Sequence, residues 1–274
     1  MRMKRLKHKS WIPTILFTFY SSIIFILLYC TIVSSFKSST EISSGIWTLP
    51  QSLNFQYFYK IIQNGFLRYI GNSLIVAVIG IGGLLLCAGM LSYGHARFQF
   101  KGKGFLETYI LFGLMFPVQL GVLVNYKTIS FIGLNDTLIG LSFIYIGNLS
   151  LASFLFMKFF RTLPVELAES AKIDGANEFT IFYKVMVPLS KPVIGTVVLV
   201  CGLTIYNDLF LPLIFTHGSN RTVTVVIQMT ASNFVRYLDQ IFPMVTLNII
   251  PVIIIFIFCE KQLVEGLTAG ATKG

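Results

Sequence analysis

Apolar positions along this chain come in long runs separated by short polar stretches. Six runs approach twenty residues or more, over positions 11–33, 70–92, 105–125, 138–160, 192–214 and 241–259. About 20 apolar residues in a helix cross the hydrocarbon core of a bilayer. The pattern therefore predicts an all-α, polytopic membrane protein with six transmembrane helices. It divides the chain into a basic stretch at 1–10, a spanning domain over 11–259 and a tail at 260–274. Gly80, Gly82, Gly83, Gly89, Pro117 and Gly202 fall inside the runs, and such residues are tolerated in membrane helices. The stretch GIGGLLLCAG at 80–89 reads as a face for close helix packing. It is a poor phosphate loop, because no Lys-Ser/Thr follows it.

One polar interruption stands out, at 161–191. Thr162-Leu163-Pro164 has the form of a helix start, a capping hydroxyl followed by proline in the first turn. Glu166 and Glu169 then fall near the positive end of the helix dipole, and Lys172, three residues beyond Glu169, is placed to pair with it. Ala168 and Ala171 leave a flat face. Gly175 sits where a helix C-terminus takes positive φ. A second short helix is predicted from about Asn177 to Val185, running on to Pro188, with Pro188 and Pro192 bracketing the turn into the fifth run. Leu167, Ile173, Phe179 and Phe182 supply apolar positions at helical spacing. The segment is thus helix, glycine turn, helix, too polar to bury in lipid. The residues alone leave two readings open, a docking surface for another protein and an amphipathic helix lying at the membrane interface.

Composition sharpens the membrane assignment. Only 12% of residues are charged and 55% are hydrophobic, against about 25% charged in a soluble domain. The net charge of +10 is read through its distribution, not as a nucleic-acid footprint. Fifteen of the 21 Lys and Arg fall at the N-terminus, at 93–104, at 158–191 and in the tail, and six fall in the alternate segments. Cations gather on the cytoplasmic side, so both termini and the 161–191 loop are expected in the cytoplasm. The run from Trp11 is about twice the length of a signal-peptide core and is expected to be a retained first span. Trp47, Phe55, Tyr57, Phe58 and Tyr59, in the outer 34–69 segment, are candidates for the membrane interface. Cys30, Cys87, Cys201 and Cys259 show no metal-ligand spacing and read as buried small hydrophobes. His8, His95 and His217 are scattered without a ligand pattern.

The interruption resembles the EAA loop of binding-protein-dependent ABC importer permeases: EAA, three residues, Gly, nine residues, then I-x-LP. Here the pattern falls on Glu169-Ser170-Ala171, on Gly175 and on Val185-Met186-Val187-Pro188. The spacing is kept; Ser170, Val185 and Val187 are small or near-isosteric departures. AKIDGA at 171–176, GNSLIVAV at 71–78, LSYGHARFQFKGK at 91–103, YNDLFLPL at 206–213 and the tail GLTAGATKG at 266–274 resemble the maltose-type carbohydrate permeases, on the side of the second permease subunit. Tyr206 stands where that branch commonly has Trp.

The resemblance implies a type I ABC importer permease with a cytoplasmic EAA coupling loop, in the bacterial plasma membrane. It implies a heterodimer with a second permease, two cytoplasmic ATPase subunits and an extracytoplasmic sugar-binding protein. No cofactor is expected on this chain, and ATP and Mg²⁺ would be used by the partner ATPase. Docking residues carried over are Glu166, Glu169, Ser170, Ala171, Asp174, Gly175 and Pro188. The substrate is expected to be a sugar, with glycerol phosphate or another small polar solute as the alternative.

Polar groups within the runs are the candidates for a solute path. They are Asn72, Asn148, Tyr206, Asn207, Asp208 and Asn248. The competing reading for each asparagine is an interhelical hydrogen bond. There is no Walker A, HExxH or nucleophile-elbow pattern, and an intramembrane enzyme would need clustered ionisable residues where only Asp208 qualifies.

Overall fold

The computed structural model describes residues 11–232 and 237–271, with side chains through Lys261. The basic stretch at 1–10, Arg236 and the last three residues of the tail lie outside the described residues. In chain order the helices are α1 (Trp11–Ser34), α2 (Ser39–Ser44), α3 (Gln56–Gln63), α4 (Phe66–Arg97), α5 (Lys103–Met115), α6 (Val122–Phe131), α7 (Leu138–Gly147), α8 (Ser150–Phe160), α9 (Glu166–Ile173), α10 (Glu178–Ile181), α11 (Val187–Leu189), α12 (Lys191–Asn207), α13 (Phe210–Phe215), α14 (Val223–Ala231) and α15 (Leu238–Ala271). A π-turn covers Phe182–Met186, and 3₁₀ turns cover Val118–Gly121 and Gly218–Asn220. No strand occurs among the described residues.

Three helices, α1, α4 and the Leu238–Lys261 part of α15, are each long and apolar enough to cross a membrane. The other expected spans are not single straight helices. The third run is α5 and α6, bent by 98°, and the fourth is α7 and α8, bent by 48°. A third bent pair joins Glu178–Leu189 to α12 at 75°, and counting each bent pair as one span allows up to six. The first break follows from Pro117, which has no N–H to donate and forces Phe116 out of the helical region, to φ −84°, ψ 120°. The fifth run also divides, at Asp208-Leu209, between α12 and α13. In a continuous helix Pro212 would face the carbonyl of Asp208 without an N–H to offer it. Instead Asp208 turns extended, to ψ 134°, and its Oδ1 accepts the N–H of Phe210 at 2.9 Å.

The chain divides into two compact units, one of residues 1–64 with 229–247 and one of 65–228 with 248–274. In the first, α2 starts with a reciprocal cap between Ser38 and Glu41. The buried ammonium of Lys37 spends its donors on the carbonyls of Gly45 and Ile46 and the hydroxyl of Thr48, at 3.1–3.3 Å. Phe36, Phe55 and Phe58 cluster by their rings, while Trp47 and Tyr59 are exposed.

The second unit is built around α4, which packs against α7, α8 and α12. Small residues make that contact close. A Cβ on Gly83 would collide with the Ile146 side chain, and one on Gly80 would touch Ile205 and Tyr145. Ala88 and Ala152 are fully buried, and Ser92 donates to the carbonyl of Ser153 at 3.0 Å. The packing-face reading of 80–89 therefore holds at Gly80 and Gly83. Of the four cysteines, Cys30 and Cys201 are buried as expected, but Cys87 is exposed on the apolar surface and Cys259 is half-buried.

Candidate functional site

The loop between α8 and α12 is ordered by its own backbone. Helix α9 ends at Asp174, and Gly175 takes φ +80°. The N–H of Gly175 bonds the carbonyl of Lys172 and that of Ala176 the carbonyl of Ala171, both at 3.0 Å. These two bonds make a Schellman motif, which needs a left-handed residue at this position. Asn177 then caps α10, its side-chain oxygen accepting the N–H of Thr180 at 2.8 Å. Pro188 cannot offer an N–H to the carbonyl of Lys184, and the helix widens. The N–H of Val187 reaches back five residues to Phe182. At Ser190 the chain bends by 75° into α12. The glycine turn, the second helix and the proline-bracketed entry are all as the sequence predicts.

The helix start differs. Thr162 does not cap α9; its hydroxyl donates to the carbonyl of Phe159 at 2.7 Å and closes α8 instead. Pro164 precedes the helix, whose first carbonyl acceptor is Val165. The predicted Glu169–Lys172 pair does not form either. Lys172 lies 2.6 Å from Oε1 of Glu178 on α10 and beside the ring of Phe98.

Side-chain contacts tie this loop to the helix bundle. The hydroxyl of Tyr93 on α4 donates to Oε2 of Glu178 at 2.7 Å, so one carboxylate joins α4, α9 and α10. Arg97 donates to the carbonyl of Pro164 at 3.3 Å. Arg161 meets Glu107 on α5 at 2.7 Å. Tyr93 also packs its ring on Phe160 and Phe182, of which both are buried.

The opposite side of the loop is bare. Glu166, Glu169, Ser170, Asp174, Gly175 and Pro188 are exposed and Ala171 is half-buried. Glu166, Glu169 and Asp174 have no hydrogen-bonded or ionic side-chain partner among the described residues. Of the apolar positions picked out by spacing, only Phe182 is buried. Ile173 is 86% and Phe179 66% exposed. The two-helix element thus presents three carboxylates, unpaired among the described residues, beside two apolar side chains.

The candidate path residues separate into two groups. Asn72 is buried on α4, and its amide donates to the carbonyls of Ser219 and Arg221, at 2.8 Å each. It anchors a loop and does not border the cavity described below. Tyr206 is also buried, its hydroxyl 2.9 Å from Oδ1 of Asn248, so these two form an interhelical bond. Asn207 is exposed at the end of α12. Asn148 and Asp208, in contrast, border one cavity of about 190 Å³, together with Gln119, Tyr145 and Thr204. Oδ2 of Asp208 accepts the hydroxyl of Tyr145 at 2.6 Å.

The sequence reading missed Tyr93, Arg97, Glu178, Tyr145 and Gln119. Tyr93 and Arg97 lie inside LSYGHARFQFKGK, a stretch the resemblance had already singled out. No comparable signal marks Tyr145, one aromatic in an apolar run.

A family model described as binding-protein-dependent transport system inner membrane component matches residues 86–263, from the middle of α4 through the loop and into α15. The chain belongs to this family. It is accordingly the multi-pass membrane component of a transport system, not an enzyme. Among the relatives of this family member, the arabinooligosaccharides transport system permease protein AraQ of Bacillus subtilis (strain 168) is 28% identical over 267 residues, covering 95% of each chain. The diacetylchitobiose uptake system permease protein NgcG of Streptomyces coelicolor is 28% identical, covering 93% of this chain and 86% of that one. In fold, the family member is similar to a bacterial ABC transporter that imports the acidic polysaccharide alginate, with a TM-score of 0.80 at 19% identity over 95% of this chain and all of the other.

Proposed function

We propose that this chain is one of two permease subunits of an ATP-driven sugar importer, and that the 161–191 loop is its grip on a separate ATPase. The observation that carries this reading is the loop's two-sidedness. One side is locked to α4 and α5 through Tyr93, Arg97 and Arg161; the other offers Ile173 and Phe179 with Glu166, Glu169 and Asp174 unpaired. A lone interfacial helix needs no such clamp. A lever does, because force applied at the bare side must reach the spans without being absorbed in the loop. The uptake-system names of the relatives support the sugar class.

In this account two cytoplasmic ATPase subunits use ATP and Mg²⁺, and a second permease completes the path. An extracytoplasmic sugar-binding protein delivers the solute. Closure of the ATPase dimer moves the docked loops together, and the bundle passes between two states biased by those contacts. The lysine and arginine bias supports a plasma-membrane orientation with both termini and the loop in the cytoplasm. Glycerol phosphate as the solute has neither the relatives' names nor any cation at the cavity in its favour.

Gly175→Val tests the grip. A β-branched residue at φ +80° is strained by upwards of about 1–2 kcal/mol and disrupts the turn that sets α9 against α10. The tagged wild-type chain, purified in mild detergent, should bring down a second permease and an ATPase. The variant, inserted at normal levels, should lose the ATPase. Equal recovery of the ATPase by both would contradict the docking role.

A further inference from the structure

Three of the four helix breaks border one cavity, and the fourth, at Ser190, does not. The break between α5 and α6 delivers Gln119, that between α7 and α8 delivers Asn148, and that between α12 and α13 delivers Asp208, all to the cavity of about 190 Å³. Irregular backbone at membrane depth is tolerated only where it is buried in protein or lines a cavity, and discontinuous helices are a recurrent way to build solute sites. Three independent interruptions meeting at one cavity point to a purpose that packing alone does not supply.

The chemistry of the wall narrows the ligand. Asp208 is held in place, with Oδ1 on the Phe210 N–H and Oδ2 on the Tyr145 hydroxyl. Its remaining lone pairs accept from hydroxyl donors. The side-chain amides of Gln119 and Asn148 have no hydrogen-bond partner among the described residues and offer both donors and acceptors. The Tyr145 side chain adds an aromatic surface to the wall. No Lys, Arg or His lines the cavity. An anionic solute would meet a carboxylate with no compensating cation, and an unpaired charge in such surroundings is costly.

Resting on the importer reading above, we infer that this cavity is a subsite on this subunit for one unit of an uncharged, polyhydroxylated solute. It excludes phosphorylated and uronic-acid solutes. Gln119, Asn148 and Asp208 form its hydrogen-bonding wall.

The test uses the complete importer, with its partner subunits and binding protein, in proteoliposomes. Five radiolabelled probes are offered: arabinotriose, galactobiose and maltotriose, which are uncharged, and glycerol 3-phosphate and trigalacturonate, which are anionic. The wild type should take up at least one uncharged probe and neither anionic one. Gln119→Ala and Asn148→Ala should each raise KM for that probe about five- to tenfold, as expected for a lost hydrogen bond, with kcat little changed. Both side chains are exposed and unbonded, and only complexes of wild-type stoichiometry are compared, so misfolding does not enter the comparison. Uptake of an anionic probe, wild-type KM in both variants, or uptake of none of the five by an assembled complex would each overturn the inference and leave the coupling reading standing. A chain that never assembles with an ATPase would overturn both.

Discussion

The hydroxyl of Tyr93 on α4 donates to Oε2 of Glu178 at 2.7 Å, while Oε1 of the same carboxylate holds Lys172 at 2.6 Å. One side chain thereby joins a long spanning helix to both short helices of the loop. The ion pair is half-exposed, and such pairs contribute about 0–1 kcal/mol to stability. On the proposed coupling role, its value lies in stiffness at a junction that carries motion.

Glu178→Ala should therefore leave thermal stability within about 1 kcal/mol of wild type. Solute moved per ATP hydrolysed by the assembled importer should fall by about three- to tenfold, the scale of one lost hydrogen bond. Glu178→Gln, which keeps an acceptor for Tyr93, should recover part of the loss. A ratio unchanged in Glu178→Ala would show that the clamp does not transmit.

Asn72 gives the converse case. Its amide satisfies the carbonyls of Ser219 and Arg221, and removing it strands two acceptors at about 1–3 kcal/mol each. Asn72→Leu should lower the unfolding temperature in detergent by several degrees, as that loss implies, while KM for the transported solute stays at the wild-type value. A raised KM without lost stability would restore Asn72 to the solute path.

Glu41 sets a pH dependence in the segment before α3. Its carboxyl is held below the ordinary value of 4.5 by the backbone N–H of Ser38 first, then by the N–H of Gln51 and the Ser38 hydroxyl. A lowered folded-state value means that the stabilisation is complete above the ordinary value and is lost as pH falls through the folded one. Protection factors of the amides over 38–51, with the intrinsic exchange rate at each pH divided out, should be steady from about pH 8 down to the ordinary value of 4.5 and should fall only below it. Glu41→Ala should abolish that dependence. Protection that persists in acid in the wild type would count against the cap.

Much of this organisation was legible in the residues because it depends on local rules. Six apolar runs marked the helical regions, Gly175 marked the left-handed turn, and Asn177 marked where the second short helix begins. What escaped was set by tertiary context. Pro117, Asn148 and Asp208 sit in runs of near-uniform hydropathy, where such residues are tolerated in straight helices, so the breaks left no trace in periodicity. Lys172 had a partner three residues away by sequence, and a better one on the next helix. Thr162 offered a capping hydroxyl, but α8 took it. Ile173 and Phe179 fit an apolar face at helical spacing, yet the face turns outward; on the proposal above, a partner chain covers it.

A photo-reactive benzoylphenylalanine placed at Ile173, 86% exposed on the loop, can be compared with one at Phe131, 92% exposed at the end of α6. Both would be irradiated in native membranes containing the whole importer. The account predicts that the Ile173 probe gives a covalent adduct with an ATPase subunit, and that the Phe131 probe gives none with that subunit. Lipid adducts alone at Ile173, or no ATPase adduct there, would contradict the claim that this loop is the grip.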